Sequence, residues 1–208
     1  MKRRKALKKI GLSLGTITLT PTVIGLLHSC QSEIDWNPKF FKSDQIEFMS
    51  KMLDIIIPKT SDVPGAYELN LVRYIDTFAF IALNEEAKDK SVRDLNALIK
   101  NTQNVTLKFS ISKLTTADYE NQLKKFLMAE DYKTKEWNNL LDNKSNSTNP
   151  SEEAMAYKAT ISLRDLGVRA FKLNEYIGEN ILDYRPIPGE QKGCIDIQEA
   201  TGGIAYSL

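Results

Sequence analysis

Histidine is almost absent from this chain. Of 208 residues only His28 is one, and it falls in a stretch that reads as an export leader. The rest of the protein therefore has no imidazole for general acid or base work, for a Ser-His or Cys-His nucleophile, or for a metal site. Cysteine is as scarce, with Cys30 and Cys194 the whole supply, too few for a disulfide framework. Also missing are the three-glycine fingerprint of dinucleotide folds and the phosphate-loop lysine signature, since Gly65 and the pair Gly202-Gly203 stand isolated. What is left open is carboxylate, tyrosine or lysine chemistry, a bound cofactor, or no chemistry at all.

A net charge of +1 hides an uneven distribution. Residues 1 to 29 carry six bases (Lys2, Arg3, Arg4, Lys5, Lys8, Lys9) and no acid, which leaves 22 bases against 27 acids and a formal −5 for residues 30 to 208. A body of that sign lacks the clustered Lys and Arg that neutralise phosphates, so nucleic acid is not an expected partner. About 179 residues suffice for one domain that buries roughly 70% of its unfolded surface.

The beginning of the chain is an address. A basic start is followed by eighteen uncharged residues, Ile10 to Leu27, made only mildly apolar by four threonines, three glycines and Pro21. That pattern fits a signal peptide better than a retained membrane span. Leu27-His28-Ser29-Cys30 resembles a lipobox, with His28 a departure from its usual small or aliphatic residue. Cys30 would then carry the lipid, each buried methylene contributing about 0.8 kcal/mol. Arg3-Arg4, an apolar Leu7 and the following lysines resemble the twin-arginine signal, which is read by a pathway for folded cargo. An ordinary basic leader with two adjacent arginines is the alternative.

Apolar spacing in the remainder predicts an all-α domain over residues 43–184, preceded by a tether at 30–42 and followed by an irregular, extended arm at 185–208. Helices are expected from Ser43 to Ile57, stopped by Pro58; from Ala66 to about Leu83; from Asn84 to about Lys100; from Thr115 past Leu127; and from Ser151 toward Asn174, with a short one near Ile177 to Leu182. Trp137, Leu140 and Leu141 would continue the fourth after a break. Residues 101 to 113, with Val105, Leu107, Phe109 and Ile111 alternating, read as a short strand or an extended connector. Pro64-Gly65 suits a tight turn with a positive φ at the glycine.

Few side chains suggest bond chemistry. Glu85-Glu86 and Glu152-Glu153 sit at helix starts, where acids answer the helix dipole. A di-iron bundle would need Glu-x-x-His pairs, and no histidine supplies them. Two loop-rich stretches remain. The loop with Asp62, Pro64 and Gly65 is a rigid turn or a contact site, and the arm from Tyr184 through Pro188, Gly189, Gly193 and Cys194 either wraps its own domain or orders on a partner. Cys194 is expected as a buried apolar thiol, less often as a contact to another chain.

These stretches, Leu53 to Ala66 with Ile75-Asp76, then Leu163 to Gly167, Tyr176-Ile177-Gly178, Tyr184, Pro188-Gly189 and Gly193-Cys194, together resemble the subunit 3 family of membrane-bound gluconate 2-dehydrogenase. The resemblance covers residues 44 to 195, thinning between 101 and 150. It implies an accessory subunit with no catalytic, metal or cofactor-binding residues of its own. It further implies a large FAD-dependent partner of the glucose-methanol-choline type, and co-export on the small subunit's leader. On that reading Arg3 and Arg4 are the export signal and Asp62, Pro64, Gly65, Tyr184, Pro188, Gly189, Gly193 and Cys194 candidates for partner contact, while Cys30 as the lipid site comes from the lipobox and not from the resemblance. The lipobox departs from the gluconate enzyme, so a cytochrome partner rests on the resemblance alone. A self-standing envelope lipoprotein that binds a small ligand or another protein is the alternative.

Overall fold

A computed structural model describes residues 36–142, 150–184 and 194–206. Among them every regular element is a helix, as the spacing predicts, and one isolated bridge is the only β pairing. The helices are α1 (Ser43–Ile56), α2 (Leu71–Ala82), α3 (Glu85–Thr106), α4 (Thr116–Leu127), α5 (Asp131–Asp142), α6 (Glu152–Lys172), α7 (Glu175–Asn180) and α8 (Ile197–Thr201), with a 3-10 turn at Ile111–Lys113. No helix among the described residues is long and apolar enough to cross a membrane.

Local chemistry sets most of the starts. Asn84 accepts from the Ala87 N–H at 2.9 Å, Ser151 from Ala154 at 3.2 Å and Asp196 from Gln198 at 2.8 Å. At Thr115 the Asp118 carboxylate reaches back to the cap N–H at 2.7 Å. Each such cap satisfies donors that a helix start leaves open, for about 1 kcal/mol. Pro58 ends α1 as expected, since it brings no N–H to the ladder.

Two boundaries differ from the expectation. The second helix begins at Leu71 rather than Ala66, because Asn70 adopts a left-handed φ of 50° and the Leu71 N–H bonds back to Ala66. Asparagine tolerates that region, so the turn interrupts the apolar period at little cost. The third helix does not stop at Lys100 but runs to Thr106. Thr102 and Thr106 donate to the carbonyls of Leu98 and Thr102, both at 2.8 Å, so their hydroxyls are satisfied inside the helix. The expected strand or extended connector at 101–113 is therefore helix, a left-handed cap at Leu107 and a 3-10 turn.

The core gathers around α6, which packs on α1 to α5 and shares its largest interface with α3. Phe48 and Phe126 are fully enclosed, and burial of each is worth about 1.5–3 kcal/mol. Rings meet edge-on, Phe48 with Tyr119 at 5.3 Å and Phe126 with Trp137 at 5.4 Å. Where α1 crosses α6, a Cβ on Gly167 would lie 2.5 Å from Leu53 Cδ2. Leu53 is itself buried, so glycine lets the two helices close.

Candidate functional site

The connection from α1 to α2 forms one wall of a groove of about 520 Å³, lined by Lys59, Asp62, Pro64 and Glu68 together with Asn174 and Tyr176 at the start of α7. Its backbone is held closely. Thr60 N–H donates to the Val63 carbonyl at 2.9 Å, the Thr60 hydroxyl accepts from Val63 N–H at 3.0 Å, and Ala66 N–H reaches Ile57 at 2.9 Å. Gly65 donates to Glu68 Oε2 at 3.1 Å, and Lys59 pairs with the other oxygen at 3.1 Å. That lysine hydrogen bond is the main reason the Glu68 carboxyl titrates below its ordinary value. Asp54, at the end of α1, is pushed the other way by burial.

Gly65 does not have the expected positive φ; among the described glycines only Gly202 and Gly203 do. The glycine is required for a different reason: a Cβ there would sit 2.6 Å from the Lys59 backbone nitrogen. It shapes the loop from inside, whereas Asp62 is exposed and Pro64 half-buried on the groove wall. Asp62 accepts from the Ser61 hydroxyl at 2.9 Å.

Tyr184 and Cys194 belong to the arm, not to this groove's lining. Asp183 N–H bonds the Ala205 carbonyl at 2.9 Å, so residue 206 returns beside residue 183. Within that return, α8 is capped by Asp196 and closed by Gly202 at φ 65°. The arm is thus less irregular than its breakers suggest, yet Tyr184, Ile195, Ile197, Ile204 and Tyr206 all remain exposed. Cys194 is exposed as a free thiol, which overturns its expected burial. Arg3, Arg4, Cys30, Pro188, Gly189 and Gly193 lie outside the described residues.

Asp76 is a site that spacing missed. It is fully buried on the packed side of α2, and its carboxylate accepts backbone N–H groups from Lys39 at 2.6 Å, Phe40 at 3.0 Å and Phe41 at 2.8 Å. Hydrogen bonds to a charged acceptor contribute about 1.5–3 kcal/mol each. The last residues of the expected tether are accordingly built into the domain, with Phe41 buried. An acid among Leu71, Val72, Ile75 and Ala79 was the available signal, because a carboxylate on an apolar face needs donors.

Phe41 also lines a half-enclosed apolar cleft of about 370 Å³, walled by Met49, Ile75, Phe78, Leu163 and Leu166, with Lys158 among the polar residues that line it. Among the described residues no group of three or more His, Cys, Asp or Glu side chains could hold a metal ion. The geometry therefore offers surfaces, a groove and a cleft.

A family model described as Gluconate 2-dehydrogenase subunit 3 matches residues 43–189, which is 147 of the 208 residues. No curated protein matches, and no solved structure does.

Proposed function

This chain belongs to the gluconate 2-dehydrogenase subunit 3 family, and on that premise we propose that it is a non-catalytic accessory subunit of a flavin-dependent dehydrogenase. It binds a large partner of the glucose-methanol-choline type that holds FAD and acts on a sugar or an alcohol. It helps to carry that partner out through the twin-arginine route and stays on the cell envelope by a lipid at Cys30.

The family match across the whole helical body carries this reading. Two further observations support it. Five large apolar side chains of the arm stand exposed, a surface suited to a second protein. The first nine residues hold an arginine pair within a basic cluster, and a cofactor-loaded partner without an address of its own needs such a signal.

Co-purification from the native envelope tests the proposal. An FAD-bearing dehydrogenase should come with the chain; recovery of a free monomer, with the dehydrogenase exported normally in its absence, would sink it. Arg3→Lys combined with Arg4→Lys should leave the partner in the cytoplasm, and unchanged export would point to the general secretion route. A second reading, a self-standing envelope protein that takes a small ligand, is favoured by the apolar cleft beneath Phe41. It requires residues 185 to 208 to resist protease with no partner present, and a monomer that binds apolar probes.

A further inference from the structure

The largest interface of the domain, between α3 and α6, does not close along its whole length. Ala87 and Ser91 from α3 and Ala159 and Ser162 from α6 line the cleft of about 370 Å³, and side chains that small leave room which large residues fill elsewhere in the core. Packed interiors hold few gaps larger than a water molecule, whereas ligand clefts begin at roughly 300 Å³. The walls are also fixed. Phe41 is held through its N–H by the Asp76 carboxylate at 2.8 Å, and Met49, Ile75 and Leu163 are buried.

The polar groups of the lining decide what can enter. Its one acid, Asp94, is held by Arg93, whose Nε and Nη2 donate to Asp94 Oδ1 at 3.1 and 2.8 Å. Lys90 is held by Glu86 at 2.5 Å. Those four charges cancel. Lys158 is left as a cation with no ion pair within the described residues, and the hydroxyls of Ser91 and Ser162 have no hydrogen bond there. Ser162 lies one turn along α6 from Lys158, on the same face. Apolar walls with a few uncommitted donors are the pattern of a small-molecule site, and these donors suit an anion. A cationic head would meet Lys158 with like charge, and a neutral chain would leave it unanswered.

We propose that the cleft binds a medium-chain fatty acid, with the tail among Phe41, Phe78 and Leu166 and the carboxylate at the mouth on Lys158, Ser91 and Ser162. Lys158 is exposed, so it orients the head, while the tail supplies most of the affinity. Such a site gives the cleft a ligand class, goes beyond the accessory-subunit role and needs no dehydrogenase to form.

An NMR titration of the full chain carrying Cys30→Ala, so that no lipid of its own competes, tests it with hexanoate, octanoate and decanoate below their micelle concentrations. The amide of Phe41 and those of residues 87–95 and 158–166 should shift saturably while those of 197–204 stay in place. Each added methylene should tighten binding by up to about fourfold. Decylammonium should bind more weakly than decanoate. Lys158→Gln should weaken decanoate several-fold and leave decanol unchanged, whereas Ala87→Phe, at the partly exposed edge of the cleft, should remove both without unfolding the chain. No saturable shift, shifts centred on the arm, equal affinity for decylammonium, binding that appears only with added dehydrogenase, or binding that survives Ala87→Phe would each overturn the proposal.

Discussion

The connection from α1 to α2 and the connection from α3 to α4 obey opposite rules. In the first, the left-handed position is given to Asn70 and the tightest backbone approach to Gly65. Its donors end on Thr60, Val63 and Glu68. In the second, the left-handed position holds Leu107, and three large apolar residues face outward. One connection is shaped by the stability of the isolated domain. The other gives up stability at a leucine held in a left-handed conformation with its side chain in the open.

The largest effect is expected at Asp76, in the helix that the first connection launches. Asp76→Ala would strand three N–H groups around a buried site. The expected loss is about 3–5 kcal/mol in denaturant unfolding, with fast exchange at the amides of Lys39, Phe40 and Phe41. An unchanged unfolding midpoint would mean that the segment before α1 is not clamped.

Next come the two connections themselves, which should respond to mutation with opposite signs. Gly65→Ala forces a Cβ against the Lys59 backbone and should destabilise by about 2 kcal/mol. Leu107→Gly relieves a left-handed leucine and should stabilise by up to about 1 kcal/mol, part of the relief being offset by the freedom glycine gains when unfolded. Thermal unfolding of the two variants checks the opposite signs, and two changes of the same sign would refute them.

The smallest expected effect concerns Asp118, which meets Lys108 beside the second connection. The lysine hydrogen bond first, and the Thr115 N–H after it, hold this carboxyl down at about 2, against an ordinary value near 3.8. A depressed folded value means that its stabilising contribution is complete above about pH 4 and is lost as the pH falls toward 2. Lys108→Met should move the carboxyl titration upward in an NMR pH series and shift any acid weakening of the α3 to α4 connection to higher pH.

Legibility followed the range of the interaction. Apolar repeats at three- and four-residue steps located the helices of the body, and capping residues located most starts, because both signals lie within one or two turns of the chain. The end of α3 was misread as an extended segment. Val105, Leu107, Phe109 and Ile111 alternate as a strand would, yet only Ile111 is buried. Alternation reports a buried face only when one exists. The loop with Asp62 and Pro64 was found from its turn residues, but its partners across the groove, Asn174 and Tyr176, were not, since more than a hundred residues separate them from it. Burial of Cys194 failed for a related reason: a small apolar thiol is buried only where something closes over it, and here nothing within the described residues does.

The sequence by itself determined the helical class, most of the helix starts, the stop at Pro58, the absence of imidazole chemistry in the body and the basic character of the first nine residues, all properties of composition or of neighbours along the chain. Tertiary structure alone decided that Asp76 is satisfied by donors 35 to 37 residues away, that Gly65 and Gly167 are needed for close approach, and that the leucine at the end of α3 stands in the open. Those outcomes depend on which surfaces meet when the helices pack, and no local pattern records that.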